Sequence, residues 1–547
     1  MGEATNLPNV IIPSAVKVSP EIEVDFGPIP PCLVPIGGKV VAERIVEQYP
    51  ADYHFYIALS ERKELVEEHF EFFPNERVHL VDVGKTISIG NTVDRVFQAF
   101  PSLVGESFVI NFADTVLERL EANAADGDFI AVASTIESER WTLIRETNGK
   151  ITDISDKEFQ FDTSGWLTLL GVWGVGDADR YLNCLRSLSP DTNRGAFYEA
   201  MLQYYNGLVS PPHFVDCPEF IDCGHADNYY SARRRMINAR YFNLLKVNEE
   251  TGTIRKTSQN KEKLVDEIRW IQAIPKELRS YTPSIFDYSK DPLNPFLEME
   301  FYSYPSLDEA FVSARFDFDS WEKLFDKLFG LIRKGSSYAV KQSDLELDLR
   351  EMYIDKTRTR IEAIDLEVLS ADLVVNDHPV RGLDSLISRL EASLDAVGAL
   401  SADAFQVIHG DLCFGNILYD SKHGLIKLVD PRGRFGRFDI YGDVHYDLAK
   451  LSHSVLGLYD FIMSSRVKVW HEGGGFRLEF KATPYHATVG QIFEKHLARA
   501  GFDLARVRLL EALLFISMIP LHRDDPERQL AMGLRGLTLF EEYGVQK

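Results

Sequence analysis

The sequence predicts an α/β domain built on a mostly parallel sheet, followed by a two-lobed α+β domain. Three observations carry that expectation. From about residue 8 to 235, short β-branched or aromatic runs alternate with helical stretches, the pattern of strands joined by crossover helices. From about residue 240 the alternation gives way to a small β-rich region with one helix. From Ser306 onward the chain reads as mainly helical, except for strands around one polar loop. The expected division is therefore 1–238, 239–305 and 306–547.

The elements follow in order. In the first domain Val10–Ile12, Tyr53–Ala58, Val78–Val81, Phe108–Asn111 and Phe129–Ala133 read as strands bounded by turn residues. Val93, Val96, Phe97 and Phe100 fall at helical spacing, with Asn91 as the expected cap. In the small lobe, Tyr241–Val247 and Thr253–Thr257 read as an antiparallel pair turned at Glu249–Gly252. A helix over Lys261–Ala273 and a strand at Phe296–Phe301 complete it. Farther on, Val467–Trp470 and Phe476–Phe480 read as a hairpin joined by Gly473–Gly475. The longest apolar stretch, Leu509–Leu521, carries Glu511 and is too short to span a bilayer, so a core helix is expected.

Composition narrows the class. A chain of 547 residues is too long for one core, and 45% hydrophobic with 26% charged residues is ordinary for a globular protein. A net charge of −24 argues against a nucleic-acid partner and against docking on anionic lipid, since both need clustered Lys and Arg. Residues Met1–Asn9 are polar and resemble no signal peptide, so the expectation is a cytoplasmic protein without membrane insertion. Five scattered cysteines without metal-ligand spacing read as reduced thiols.

The chemistry concentrates at His409-Gly-Asp-Leu-Cys-Phe-Gly-Asn416, followed fourteen residues later by Asp430-Pro-Arg-Gly433. Asp411 is placed to orient or deprotonate a hydroxyl, while Asn416 and Asp430 offer oxygens to Mg²⁺ on ATP. Val407-Ile408 leads in as a strand, Ile417–Tyr419 leaves as another, and Ile426–Val429 delivers Asp430 at a strand end. The small lobe offers the partners. Lys256 lies on a strand, and Glu267 lies on the next helix, away from the face buried by Leu264, Ile268 and Ile271. In protein-kinase-like folds a strand Lys paired with a helix Glu holds the α- and β-phosphates of ATP, though Lys–Glu pairs are also common on surfaces. Arg255 becomes the inner residue if the strand register slips by one. Glu298-Met-Glu300 falls where a hinge between lobes would meet adenine, with Met299 as core in the alternative.

Residues from about 240 to 547 resemble the aminoglycoside-phosphotransferase and choline-kinase family. The loop His409–Asn416, the segment Asp430–Gly433 and Gly442-Asp-Val-His-Tyr-Asp447-Leu-Ala carry the resemblance. It implies a bilobal protein-kinase-like fold that uses ATP and Mg²⁺ on a small hydroxylated molecule. It also implies Asp411 as catalytic base, Asn416 and Asp430 as Mg²⁺ ligands, Lys256 and Glu267 as the nucleotide-binding pair, and His409 and Asp447 as props of the loop. His409 by itself reads as an interior hydrogen-bonding histidine. Arg432, Arg434 and Arg437 either bind an anionic substrate or balance Asp439 and Asp443.

The first domain carries a second resemblance. Pro31-Cys-Leu-Val-Pro-Ile-Gly-Gly-Lys39 is similar to a stretch of the sugar-phosphate nucleotidyltransferases. Asp114, after the strand Phe108–Asn111, and Asp222, in Phe220-Ile-Asp-Cys-Gly-His225, stand where that family places two Mg²⁺ ligands. The resemblance implies a Rossmann-type α/β fold, Lys39 as a nucleotide-binding residue and a second nucleoside triphosphate (CTP, UTP or GTP). By themselves the two carboxylates read as strand-end or turn residues. The departures are specific. The glycine-rich triphosphate loop is replaced by Pro13-Ser-Ala-Val-Lys-Val-Ser-Pro20, and the family's lysine before the stretch is Pro31, with Lys17 the available stand-in.

A fusion of this kind resembles proteins of bacterial capsule and surface-polysaccharide biosynthesis. The leading expectation is a small-molecule kinase joined to a domain that couples the product to a nucleotide, with homo-oligomer formation compatible with it. A kinase with an inert first domain and a non-enzymatic pseudokinase adaptor are the alternatives.

Overall fold

In a computed structural model the described residues are 9–36, 39–117, 127–134, 138–160, 162–188, 193–236, 243–248, 251–302, 304–314, 316–420 and 423–545. Gly37, Gly38, Tyr241, Phe242, Glu249 and Glu250, all used in the sequence reading, lie outside them. The chain divides into two compact units, Met1–Met236 and Ile237–Lys547.

The first unit is a sheet covered by helices. Four parallel strands run in the order Val78–Asp82, His54–Leu59, Asn9–Ser14 and Phe108–Asn111, with Val10 opposite both Phe55 and Val109. Val10, Ile12, Phe55, Ile57 and Val109 enter one core, while Ile11, Tyr56, Ala58, Phe108 and Ile110 enter another. Alternate residues point to opposite faces of a strand, so a sheet buried on both sides produces continuous apolar runs.

One long strand went unread in the sequence. Trp166–Val175 lies antiparallel to Phe108–Asn111 and to Phe129–Ser134, and so makes the sheet mixed. Gly171 and Gly174 dilute its β signal. Gly171 sits at φ 73°, where the pairing register shifts and a Cβ would meet the Phe112 ring at 2.6 Å. The helix cap is also corrected. Ser88 caps Ile89–Ala99, its Oγ accepting from the Asn91 amide at 3.1 Å, so Asn91 stands inside the first turn.

The second unit has two lobes. Its small lobe is an antiparallel sheet in the order Asn243–Asn248, Thr253–Ser258, Phe296–Glu300 and Ile285–Ser289, packed on the helix Lys261–Ala273. Asn260 caps that helix through the Lys263 amide at 3.1 Å. The large lobe is helical around the paired strands Ile417–Asp420 and Leu425–Leu428. The hairpin Val467–Glu472 and Gly475–Phe480 turns at Gly473 and Gly474, with φ 60° and 84°. Two consecutive positive φ values are what a tight hairpin turn demands of glycine.

Leu509–Met518 belongs to the buried helix Leu504–Met518, where Arg508 donates to both Glu511 oxygens at 2.8 and 2.6 Å. That pairing is how a carboxylate sits in an apolar core. None of the five cysteines forms a disulfide. Among the described residues no helix is long and apolar enough to cross a membrane.

Candidate active site

The second unit brings three distant segments together. Lys256 points inward from its strand, and its Nζ lies 2.7 Å from Glu267 Oε2 and 2.7 Å from Asp430 Oδ1. Its neighbour Arg255 faces outward, 3.7 Å over the Phe296 ring. Alternation along the strand separates the two, and only the residue on the Lys256 parity can reach the helix. Burial opposes the ammonium charge, but Asp430 and Glu267 together hold Lys256 above the usual lysine range. Burial likewise raises the Glu267 carboxyl, against the pull of Lys256. Met299 packs into the small-lobe core, as the core alternative has it.

The polar loop is fastened from several sides. Asp447, at the start of the helix Val444–Val455, accepts the His409 and Gly410 amides, each at 2.7 Å. Burial pushes its carboxyl up to about 7, against those two donors. Gly410 sits at φ 76°, with the Arg432 Cβ only 2.7 Å from where its own Cβ would be, so no side chain fits there. The Asn416 amide nitrogen donates to the Asp411 carbonyl at 2.8 Å, and the Val429 amide donates to the Asn416 carbonyl at 3.0 Å. Asp430 follows in a left-handed conformation, φ 56°, which turns it out of its strand toward Lys256.

His409 lies in the interior beneath the loop. The ring is buried edge-on against Trp270 at 5.6 Å, and among the described residues neither ring nitrogen meets a side-chain hydrogen-bond partner. Burial lowers the imidazole to about 4, against the pull of Asp411 and Asp430. It is a neutral packing residue, while the loop's amides are held by Asp447.

Asp411 has a partner that the motif did not announce. Lys450 Nζ lies 2.8 Å from Asp411 Oδ1. Burial works to raise the Asp411 carboxyl, but the Lys450 ammonium outweighs it and holds the group well below the usual carboxylate range. Such a carboxylate stays ionised and accepts a hydrogen bond from a hydroxyl. The only sequence signal for Lys450 is its position one turn beyond Asp447, on the same helix face.

The arginine expectation is corrected in part. Arg437 does not balance Asp439 or Asp443; it donates to Asp348 at 2.8 Å and Asp344 at 2.7 Å. Asp443 instead meets Arg506 at 3.0 Å and the Tyr353 hydroxyl at 2.9 Å. Arg434 is exposed, and Arg432 turns toward the Tyr446 hydroxyl at 3.4 Å. These partners come from helices far away in the chain, so sequence proximity misassigned them.

In the first unit Asp114 and Asp222 meet across Gly224. A Cβ at that glycine would stand 2.7 Å from Asp114 Oδ2 and 3.2 Å from Asp222 Oδ1. The short antiparallel pair Thr115–Leu117 and Phe220–Asp222 brings them there, with Asp222 opposite Thr115. Asp222 accepts from Asn228 at 2.7 Å and from the Gly224 amide at 2.8 Å, and lies 3.0 Å from His225 Nδ1. Burial and the Asp222 charge raise Asp114 to about 6.

Two carboxylates that both approach Gly224 offer hard oxygen donors of the kind a divalent cation takes. The lysines do not join them. Lys39 pairs with Glu47 at the surface, and Lys17 lies 2.9 Å from Glu23. No residue from Pro13 to Pro20 takes a positive φ, so the backbone does not fold into an anion-binding nest there.

No family model and no curated protein matches this chain. Among solved structures, the chain is similar to the inositol-1-phosphate CTP transferase from T. maritima, at 12% identity over 42% of this chain and 96% of that one, with a TM-score of 0.33. It is similar to the streptomycin–ATP–APH(2")-IIa ternary complex at 12% identity, over 57% of this chain and 95% of that one, TM-score 0.34. An aminoglycoside-3'-phosphotransferase of type VIII matches at 18% identity, over 56% of this chain and 97% of its own, TM-score 0.28. The transferase match falls on the N-terminal part of the chain and the phosphotransferase matches on the C-terminal part.

Proposed function

We propose that the second unit, divided into lobes at about residue 305, transfers the γ-phosphoryl group of ATP to a hydroxyl of a small molecule. The observation that carries this reading is the convergence of Lys256, Glu267 and Asp430 beside a loop that presents Asp411 and Asn416. In this reading Lys256 holds the α- and β-phosphates, and Glu267 fixes Lys256. The acceptor oxygen attacks the γ-phosphorus, the bond to the β–γ bridging oxygen breaks, and ADP leaves. Asp411 orients the hydroxyl and takes its proton late, which suits a carboxylate of low basicity and a loose transition state. The oxygen donors of Asn416 and Asp430 fit Mg²⁺, which supplies neutralising charge across the phosphates when bound. The test is phosphorus NMR of the protein with ATP, CTP, GTP, UTP, Mg²⁺ and a metabolite panel. Transfer that survives Asp411→Ala removes this mechanism.

The paired Asp114 and Asp222 favour a further reading for the first unit, the coupling of a phosphorylated product to a nucleotide for surface-polysaccharide synthesis. The glycine-free loop and the diverted Lys17 and Lys39 favour its alternative, a domain that binds without catalysis. Release of pyrophosphate from CTP, UTP or GTP, lost in Asp114→Ala and in Asp222→Ala, supports the first. Its absence from the wild-type protein supports the second.

A further inference from the structure

A cluster of cations adjoins Asp411 on a protein that is otherwise strongly acidic. Lys356 and Arg360 stand one turn apart on the helix Lys356–Glu362, and Tyr446 and Lys450 stand one turn apart on Val444–Val455. Arg432 arrives from the segment after Asp430. Lys356 and Arg432 meet at the buried phenol of Tyr446. Its hydroxyl lies 3.1 Å from Lys356 Nζ and 3.4 Å from Arg432 Nη1, and its ring lies under the same two cations at 5.4 and 5.8 Å. Lys450 links the cluster to Asp411 at 2.8 Å.

The charges are not balanced from within. Lys450 has Asp411, but among the described residues no Asp or Glu lies within ion-pair distance of Lys356, Arg360 or Arg432. Lys356, Arg360 and Arg432 are each half-buried; like charges one helical turn apart repel, and partly desolvating them without counter-ions is costly. Burial lowers Lys356 to about 8, with Arg432 and Lys450 adding to the effect, and burial together with Arg432 lowers Arg360. One phenol is a poor counter-ion for three cations. An anion supplied from outside relieves the repulsion. The other arginines nearby show the contrast, since Arg437 and Arg506 each have buried carboxylate partners.

We infer that Lys356, Arg360 and Arg432 form the acceptor-binding surface of the proposed kinase, and that the acceptor carries an anionic group, a carboxylate or a phosphate ester, beside the hydroxyl it presents to Asp411. The inference rests on the kinase reading above. It assigns the anion to a side of Asp411 distinct from Lys256, which serves the nucleotide.

Two matched acceptor series test it on the intact protein with ATP and Mg²⁺. One is glycerol, glycerate, glycerol 3-phosphate and 3-amino-1,2-propanediol; the other is glucose, gluconate, glucose 6-phosphate and glucosamine. An anionic member is expected to exceed its neutral and cationic counterparts by about 100-fold or more in kcat/KM, because unpaired polar groups reject the analogue that leaves them bare. The carboxylate and phosphate arms separate the two anion types. Lys356→Met and Arg360→Met should each raise KM for that acceptor by about tenfold, with KM for ATP within about twofold of wild type. Preferred turnover of a neutral or cationic member overturns the inference and leaves the kinase reading standing, as does a rise confined to KM for ATP. If no member is turned over, thermal stability of the ADP complex decides: stabilisation by anionic members alone supports the inference, and no selective stabilisation overturns it. ATP hydrolysis indifferent to Asp411→Asn removes the kinase reading and the inference with it.

Discussion

Both units hold a pair of acidic residues near strand ends, yet they differ in what surrounds the pair. In the second unit Asp430 and Asp411 each have a buried lysine at 2.7 and 2.8 Å. In the first, Asp114 and Asp222 both approach Gly224, and Lys17 and Lys39 of the same unit are tied to Glu23 and Glu47 at the surface. Phosphoryl chemistry needs positive charge fixed before the phosphates arrive, since preorganised charge stabilises a developing anion without reorganisation. The second unit has that charge built in.

The comparison can be broken most decisively at Asp411. Asp411→Asn should lower the rate of ATP-dependent transfer by about a thousandfold. It should cost only about 1–3 kcal/mol of stability, because the amide oxygen still accepts from Lys450 without neutralising it. Phosphorus NMR and urea denaturation read the two effects, and near-normal turnover refutes the assignment.

Lys256→Met leaves Glu267 and Asp430 without their shared cation. A loss of about 3–5 kcal/mol in the unfolding free energy is expected alongside lost transfer. Stability equal to wild type would mean the buried pair contributes nothing, and the contrast between units would lose its basis.

Next in size is Asp447→Asn, which exchanges one acceptor oxygen for a donor facing a backbone N–H. About 1–3 kcal/mol should be lost, with a fall in kcat and little change in KM for ATP. Unaltered steady-state kinetics would show that the loop holds its shape without that carboxylate.

In the first unit the sign reverses. Asp114→Asn removes a buried like-charge repulsion and should raise the melting temperature without Mg²⁺, by an amount corresponding to about 1–2 kcal/mol. It should also erase any rise in melting temperature that Mg²⁺ produces through this pair. Destabilisation instead would make Asp114 an ordinary structural carboxylate. The smallest change is expected for Lys17→Ala, within about 0.5 kcal/mol and without effect on pyrophosphate release, because an exposed ion pair contributes little. Loss of release in that variant would show that Lys17 serves a triphosphate, and the distinction between the units would narrow.

Much of this was legible in the chain. The parallel strands of the first unit follow from apolar runs, and the small-lobe helix from the spacing of Leu264, Ile268 and Ile271. Trp166–Val175 was hidden because its glycines serve a bend and a close ring contact, which no local propensity reports. At the site, Asp411, Asn416 and Asp430 stand out by spacing alone, and Lys256 by its place on a strand before a helix. Lys450, Lys356 and the true partners of Arg437 do not, because each contact joins residues far apart in sequence.

The sequence by itself determined where the candidate site residues cluster and which side chains bear oxygen or charge, because motif spacing and hydrophobic period are local properties. Only the tertiary structure decided which charges meet. It set Lys450 against Asp411, drew Lys17 and Lys39 away from Asp114 and Asp222, and gathered Lys356, Arg360 and Arg432 around Tyr446. Electrostatic interaction depends on distance through space and on burial, and neither is written along the chain.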